Sequence, residues 1–118
     1  MSLPHAHSGD VISVRPFGNK LKQAISSALV SNDKVEVMRL VLEAGKTIPA
    51  HELTGEVTIQ CLEGTVELRM PQRVQQLEQG EMVYLDGGVP RALHATQDSS
   101  VLMTLLRRHA ERDGKLLS

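Results

Sequence analysis

Few side chains in this 118-residue sequence can do chemistry, and they are scattered. His51 in "PAHELTGEV" and His94 in "RALHATQ" carry imidazoles, which titrate near neutral pH and bind divalent metals. Glu52, Glu56 and Gln60 follow His51 and offer oxygen donors. Arg91 carries a guanidinium that stays protonated, so it repels a cation and suits a carboxylate or phosphate. Two arrangements would make a site of these types. His51 and His94 would hold a metal together with Glu52, Glu56 or Gln60. Alternatively, His51 and Arg91 would form a small anion pocket. The structural reading has Arg91 reaching out to a surface acid and His51 satisfied at a rim. His5 and His7 form a His-x-His pair, but in a Pro/Ser/Gly-containing terminus they read as an uncommitted polar segment. Cys61, between Gln60 and Leu62 with no base nearby, reads as a small buried hydrophobe.

Composition narrows the partners. There is no Trp, one Phe and one Tyr, so the core must be built from Leu, Val, Ile and Met, with little aromatic surface for stacking bases or sugars. The formal net charge is −1 and the charges are interspersed, which leaves no basic stripe for nucleic acid or an anionic membrane. The densest basic spot, "RRHAER", contains its own Glu and precedes Asp113, as in a solvated tail. One cysteine permits neither an intrachain disulfide nor a multi-cysteine metal site. The N-terminus lacks the basic and apolar regions of a secretory signal, and no apolar run approaches a membrane span. A cytoplasmic protein is expected.

The elements that must position these residues are strands. "VISVRPF" reads as a short extended piece, and "KLKQAISSALV" as a turn of helix passing into a strand near Ala28. "VEVMRLVL" is nearly continuous apolar sequence, the pattern of a strand buried on both faces. "VTIQCL", "TVELRM", "EMVYL", "RALHA" and "VLMTLLR" follow, separated by "EG", "PQR", "DGGVP" and "TQDSS". Met38, Met70, Met82 and Met103 all fall in strands, where methionine fills core gaps. Many short strands with Gly/Pro punctuation predict an all-β sandwich or barrel. The whole of 1–118 reads as one domain: an arm over 1–10, a barrel core over 33–106 and a polar tail over 107–118.

The glycine spacing is more specific. Gly45 is followed by five residues and then His51, and Gly64 closes the same stretch. Gly80, "EMVYL" and then Asp86, Gly87 and Gly88 form a second frame. This spacing resembles the cupin superfamily, the small single-domain RmlC-like conserved barrels, over most of the chain. The resemblance implies a jelly-roll β-barrel or double-sheet sandwich with a short irregular or helical N-terminal segment. It also implies ligand positions for a metal held by three His and one Glu. His51 matches the first of these. Leu53 occupies the second, Val57 (or Thr58, with a longer spacer) the third, and Arg91 the fourth. One donor of four remains, and usual sites need at least three. No cofactor is therefore expected, with a divalent transition metal as the alternative.

That alternative depends on register. In an extended "RALHA", Arg91 and Leu93 share a face and His94 takes the other; a slip or bulge would reverse this. Some sugar-epimerising cupins pair a His base with a Tyr acid, which points to His51 and Tyr84, although no spacing supports the pair. If the family's facing holds, Leu53, Val57, Ile59 and Cys61 line the barrel.

The function expected is a non-catalytic or weakly catalytic barrel binding a small anionic molecule near His51 and Arg91. Leu53, Val57, Ile59 and Tyr84 would complete its pocket. The alternatives are a metal-dependent dioxygenase or isomerase rebuilt on His51, His94 and Gln60, and a structural or interaction domain with a filled barrel. Homodimerisation is expected, since a strand buried on both faces needs cover and cupins commonly pack two barrels together.

Overall fold

Period-two alternation of apolar residues places one face of each strand inside the protein. The computed structural model describes residues 5–51 and 55–107, with Ala50 and His51 by their backbone. Nine strands form among these residues: β1 (Ser27–Ser31), β2 (Val35–Leu42), β3 (Thr47–His51), β4 (Val57–Glu63), β5 (Thr65–Met70), β6 (Arg73–Glu78), β7 (Met82–Leu85), β8 (Arg91–Ala95) and β9 (Ser99–Leu106). A 3-10 helix over Gly18–Gln23 precedes them. Every pairing is antiparallel. One sheet has the order β1-β2-β9-β4-β7 and the other β3-β8-β5-β6. The core lies between them. Val57, Ile59 and Cys61 of β4 face Val66 and Leu68 of β5 and Leu93 and Ala95 of β8 across the sandwich, all buried. Burying each of the larger side chains contributes about 1.5–3 kcal/mol.

Two local features position the later site. Gly64 turns the chain from β4 into β5 at φ +83°, and a Cβ there would run into the Asp98 carbonyl and Ser99. β3 is an edge strand, so it tolerates Pro49. Its register with β8 goes from Ile48↔Leu93 to His51↔Arg91, which sets three steps of β3 against two of β8. This bulge lies in β3, so β8 keeps an unbroken alternation.

The chain ahead of the strands is a strap. Val11–Phe17, expected as a short extended piece, joins no ladder. The strap is pinned instead to the outer face of the five-stranded sheet by Glu63, which accepts from the N–H groups of Phe17 (3.0 Å) and Gly18 (3.1 Å). Within the expected arm, Ala6 N–H donates to Leu29 O at 2.9 Å, and His7 Nδ1 lies 3.7 Å from Asp10. The 1–4 part of the arm, the tail over 108–118, and Glu52 and Leu53 lie outside the described residues.

Two further expectations change. β6 was not anticipated, because "RVQQLE" buries Leu77 and leaves Val74 exposed at the edge of its sheet. β2 is not buried on both faces: Arg39 and Leu42 are buried, and the rest of the strand is half-buried.

Candidate functional site

The inward faces of the two sheets do not fill the space between them. A cavity of about 240 Å³ remains. On the five-stranded side its wall is Met38 and Leu40 of β2, Ile59 of β4 and Met103 of β9. On the four-stranded side it is Ile48 and Pro49 of β3 with Leu93 and Arg91 of β8. All but Arg91 are apolar.

Arg91 faces this chamber, and not the solvent, because it shares the buried face of β8 with Leu93 and Ala95. It is 7% exposed. Burial pushes its guanidinium pKa down from the ordinary value. A buried cation is costly unless charge or hydrogen bonds compensate it. The backbone register sets His51 directly opposite Arg91.

Other sequence candidates lie elsewhere. His94 is on the opposite face of β8, half-buried, with Nδ1 2.7 Å from Oγ1 of its cross-strand partner Thr47. Gln60 pairs with Met82 on the outer face of β4. Tyr84 is 57% exposed on β7 and donates to Asp86 Oδ1 at 3.0 Å, so it is neither a wall of this chamber nor an acid facing it. Ile59 lines the chamber, whereas Val57 is packed in the core beside it. Of the methionines, Met38 and Met103 line the chamber, Met70 packs on the core, and Met82 is exposed, contrary to a core role. The Cys61 thiol is fully buried and directed at the carbonyls of Glu63 (3.5 Å) and Gly64 (3.4 Å). Burial pushes its pKa up, which suits a packing role and not a nucleophile.

These placements do not fit a divalent metal. A guanidinium and an aliphatic side chain, Arg91 and Val57, stand where donors would be needed, and His94 and Gln60 face away from the chamber. Among the described residues no group of three or more His, Cys, Asp or Glu could hold an ion.

Sequence reasoning missed Met38, Leu40, Ile48, Pro49, Leu93 and Met103 as chamber walls. Strand alternation does put these apolar residues on inward faces, but it says nothing of the gap left between sheets. A wider, polar cleft of about 600 Å³ lies between the edges of β6 and β7. Its charged groups are engaged locally: Arg73 donates to Gln75 at 2.9 Å, and Glu81 accepts from the N–H of Glu78 at 2.9 Å.

An antiparallel double-sheet sandwich with these glycine turns defines a small β-barrel protein of the jelly-roll class. The Cupin domain family matches residues 38–106, more than half of the chain, and the protein belongs to that family. Among solved structures it is similar to a conserved protein of unknown function from Streptococcus pyogenes. The two are 20% identical with a TM-score of 0.72, over 93% of this chain and 97% of that one. A cupin superfamily protein from Desulfitobacterium hafniense is 15% identical, with a TM-score of 0.73 over 87% of this chain and 100% of that one. An RmlC-like cupin from Desulfovibrio desulfuricans is 22% identical, with a TM-score of 0.65 over 86% and 97%. No curated protein matches the chain. Among the described residues no helix is long and apolar enough to cross a membrane.

Proposed function

We propose that this cupin is a non-catalytic binding protein that holds a small anionic molecule at Arg91, inside the barrel and without a metal. The observation that carries the reading is a guanidinium, 7% exposed, in the wall of an otherwise apolar cavity of about 240 Å³. Arginine has five N–H donors, so it serves an anion while keeping a protein partner. In an apolar cavity a charge-assisted pair with a carboxylate is stronger than in water. The position of His51 opposite Arg91 supports the same reading, since an imidazole there would add a second, titratable donor. The single thiol, reduced and buried, accords with a cytoplasmic setting.

Two measurements on tag-free protein test it. Calorimetric titration with small carboxylates should show binding that Arg91→Met removes. Metal analysis should find no stoichiometric transition metal; one that disappears in His51→Ala would overturn the reading.

A homodimer belongs to the same proposal. The outer face of the five-stranded sheet presents half-buried Val37, Val41 and Leu102 beside exposed Met82, Tyr84 and Leu106. Exposed apolar side chains gathered on one sheet face suit cover by a second copy. Sedimentation equilibrium should give twice the 12.9 kDa chain mass; a monomer at micromolar concentration would remove this part.

A further inference from the structure

We infer that the chamber is selective for a monocarboxylate with a short, unsubstituted apolar tail, and that it discriminates against hydroxylated acids and phosphate. This rests on the anion reading above and specifies its ligand.

The first argument is the inventory of the wall. Among the described residues, Arg91 is the one charged side chain lining it, and it is a cation. The rest of the lining is Met, Leu, Ile and Pro, whose side chains offer no N–H or O–H donor and, at most, the weak thioether acceptors of Met38 and Met103. A ligand hydroxyl set against this apolar lining, away from the Arg91 end, leaves water and finds no good partner, which costs about tenfold in affinity or more for each. Sugar acids and polyols fail on that count. Phosphate fails on the same count, because its four oxygens and its own hydroxyls need partners on every side and this lining supplies them at one end only.

The second argument is size. At about 240 Å³ the cavity is smaller than the roughly 300–1,000 Å³ of drug-sized sites. With a water-sized group occupying about 30 Å³, it holds roughly eight non-hydrogen atoms. Hexanoate is of that size. Each methylene buried before the chamber is full should raise affinity about fourfold.

The third argument is the give in the wall. Met38 and Met103 lie on adjacent strands, paired directly across β2 and β9. Their unbranched, flexible side chains repack at little cost, so the chamber should accept branched and straight tails of similar volume.

The test titrates the full chain with sodium acetate, butyrate, hexanoate and decanoate, and with hexanamide, gluconate and inorganic phosphate. Binding is read by calorimetry and on the methyl resonances of Ile59, Leu93 and Met103. Affinity should rise from acetate to hexanoate, fall for decanoate, and be undetectable for gluconate and phosphate. Hexanamide, the uncharged analogue, should bind at least tenfold more weakly than hexanoate. It tests the charge without a mutation, should Arg91→Met fail to fold. Equal binding of acetate, gluconate and hexanoate would overturn the selectivity and leave the anion pocket standing. Equal binding of hexanamide and hexanoate would overturn the role of Arg91. No binding by any carboxylate would overturn both this inference and the reading beneath it.

Discussion

Arg39 and Arg91 are buried almost equally, at 5% and 7% exposure, yet the protein surrounds them in different ways. Arg39 sits on the outer face of β2. Its Nη2 is 3.2 Å from Glu63 Oε2 and donates to Arg15 O (2.7 Å) and Ser100 Oγ (3.1 Å). Its guanidinium carbon lies 3.7 Å from the centroid of the Phe17 ring. Arg91 sits on the inner face of β8 and borders an apolar chamber. Burial pushes both guanidinium pKa values down, and at Arg39 the charge and hydrogen bond of Glu63 oppose that push. The Glu63 carboxylate lies against one guanidinium, while the other borders a cavity with room for a carboxylate from outside. One site is a clasp for the N-terminal strap. The other is a candidate receptor.

Exchanging each arginine for a neutral residue of similar length tests this contrast most severely. Arg39→Met leaves the Glu63 carboxylate buried beside an apolar chain and removes the bond to the Arg15 carbonyl, so it should cost about 3–5 kcal/mol in urea unfolding. Arg91→Met replaces a cation with a side chain matched to its walls and should cost clearly less. Equal losses would remove the distinction between clasp and receptor.

Ligand response comes next in size. Hexanoate should raise the melting temperature of the wild-type protein and of Phe17→Leu, and fail to raise that of Arg91→Met. The tenfold weaker binding expected of hexanamide corresponds to about 1.4 kcal/mol. Stabilisation that persists without Arg91 would place the ligand elsewhere.

Acid should loosen the clasp by a smaller amount. Burial pushes the Glu63 carboxyl up, but the Ser100 hydroxyl, the N–H groups of Phe17 and Gly18, and Arg39 outweigh burial and hold it below the usual carboxylate range. Its pKa is thus lower folded than unfolded. Ionised Glu63 contributes its full stability above the unfolded value, and that contribution is lost as pH falls through the folded value. The melting-temperature gap between wild type and Glu63→Gln should narrow as pH drops from 7 toward 3. A gap that stays constant would mean Glu63 does not titrate in the clasp. The smallest effect is Phe17→Leu, which removes the ring under Arg39 and should cost about 0.5–1 kcal/mol.

Much of the architecture was legible beforehand because its signals are local. Val66 and Leu68 alternate with Glu67 and Arg69, and Gly64 and Gly80 occupy turns at positive φ. β6 was missed because an edge strand needs few apolar residues, and "RVQQLE" shows its pattern weakly. The Arg39 clasp was missed because it joins residues 15, 17, 18, 39, 63 and 100, which no short-range spacing connects. An arginine inside the otherwise apolar "VEVMRLVL" was the available sign. Of the site residues read from the sequence, Arg91 and Ile59 line the chamber, and Tyr84 lies on the outer face of its sheet.

What the sequence determined by itself was most of the strands, β3 and β6 excepted, the glycines that turn them, and the residue types at Leu53, Val57 and Arg91, none of which is a metal donor. These depend on residue type and spacing. Tertiary structure decided the rest. Alternation allowed either Arg91 or His94 to face inward. The choice was made by the β3–β8 register, where the bulge falls in β3 and β8 runs unbroken. The chamber is likewise a property of two sheets meeting imperfectly. Side chains that each point inward still leave a volume, because packing depends on the distance between sheets as well as on which residues face it.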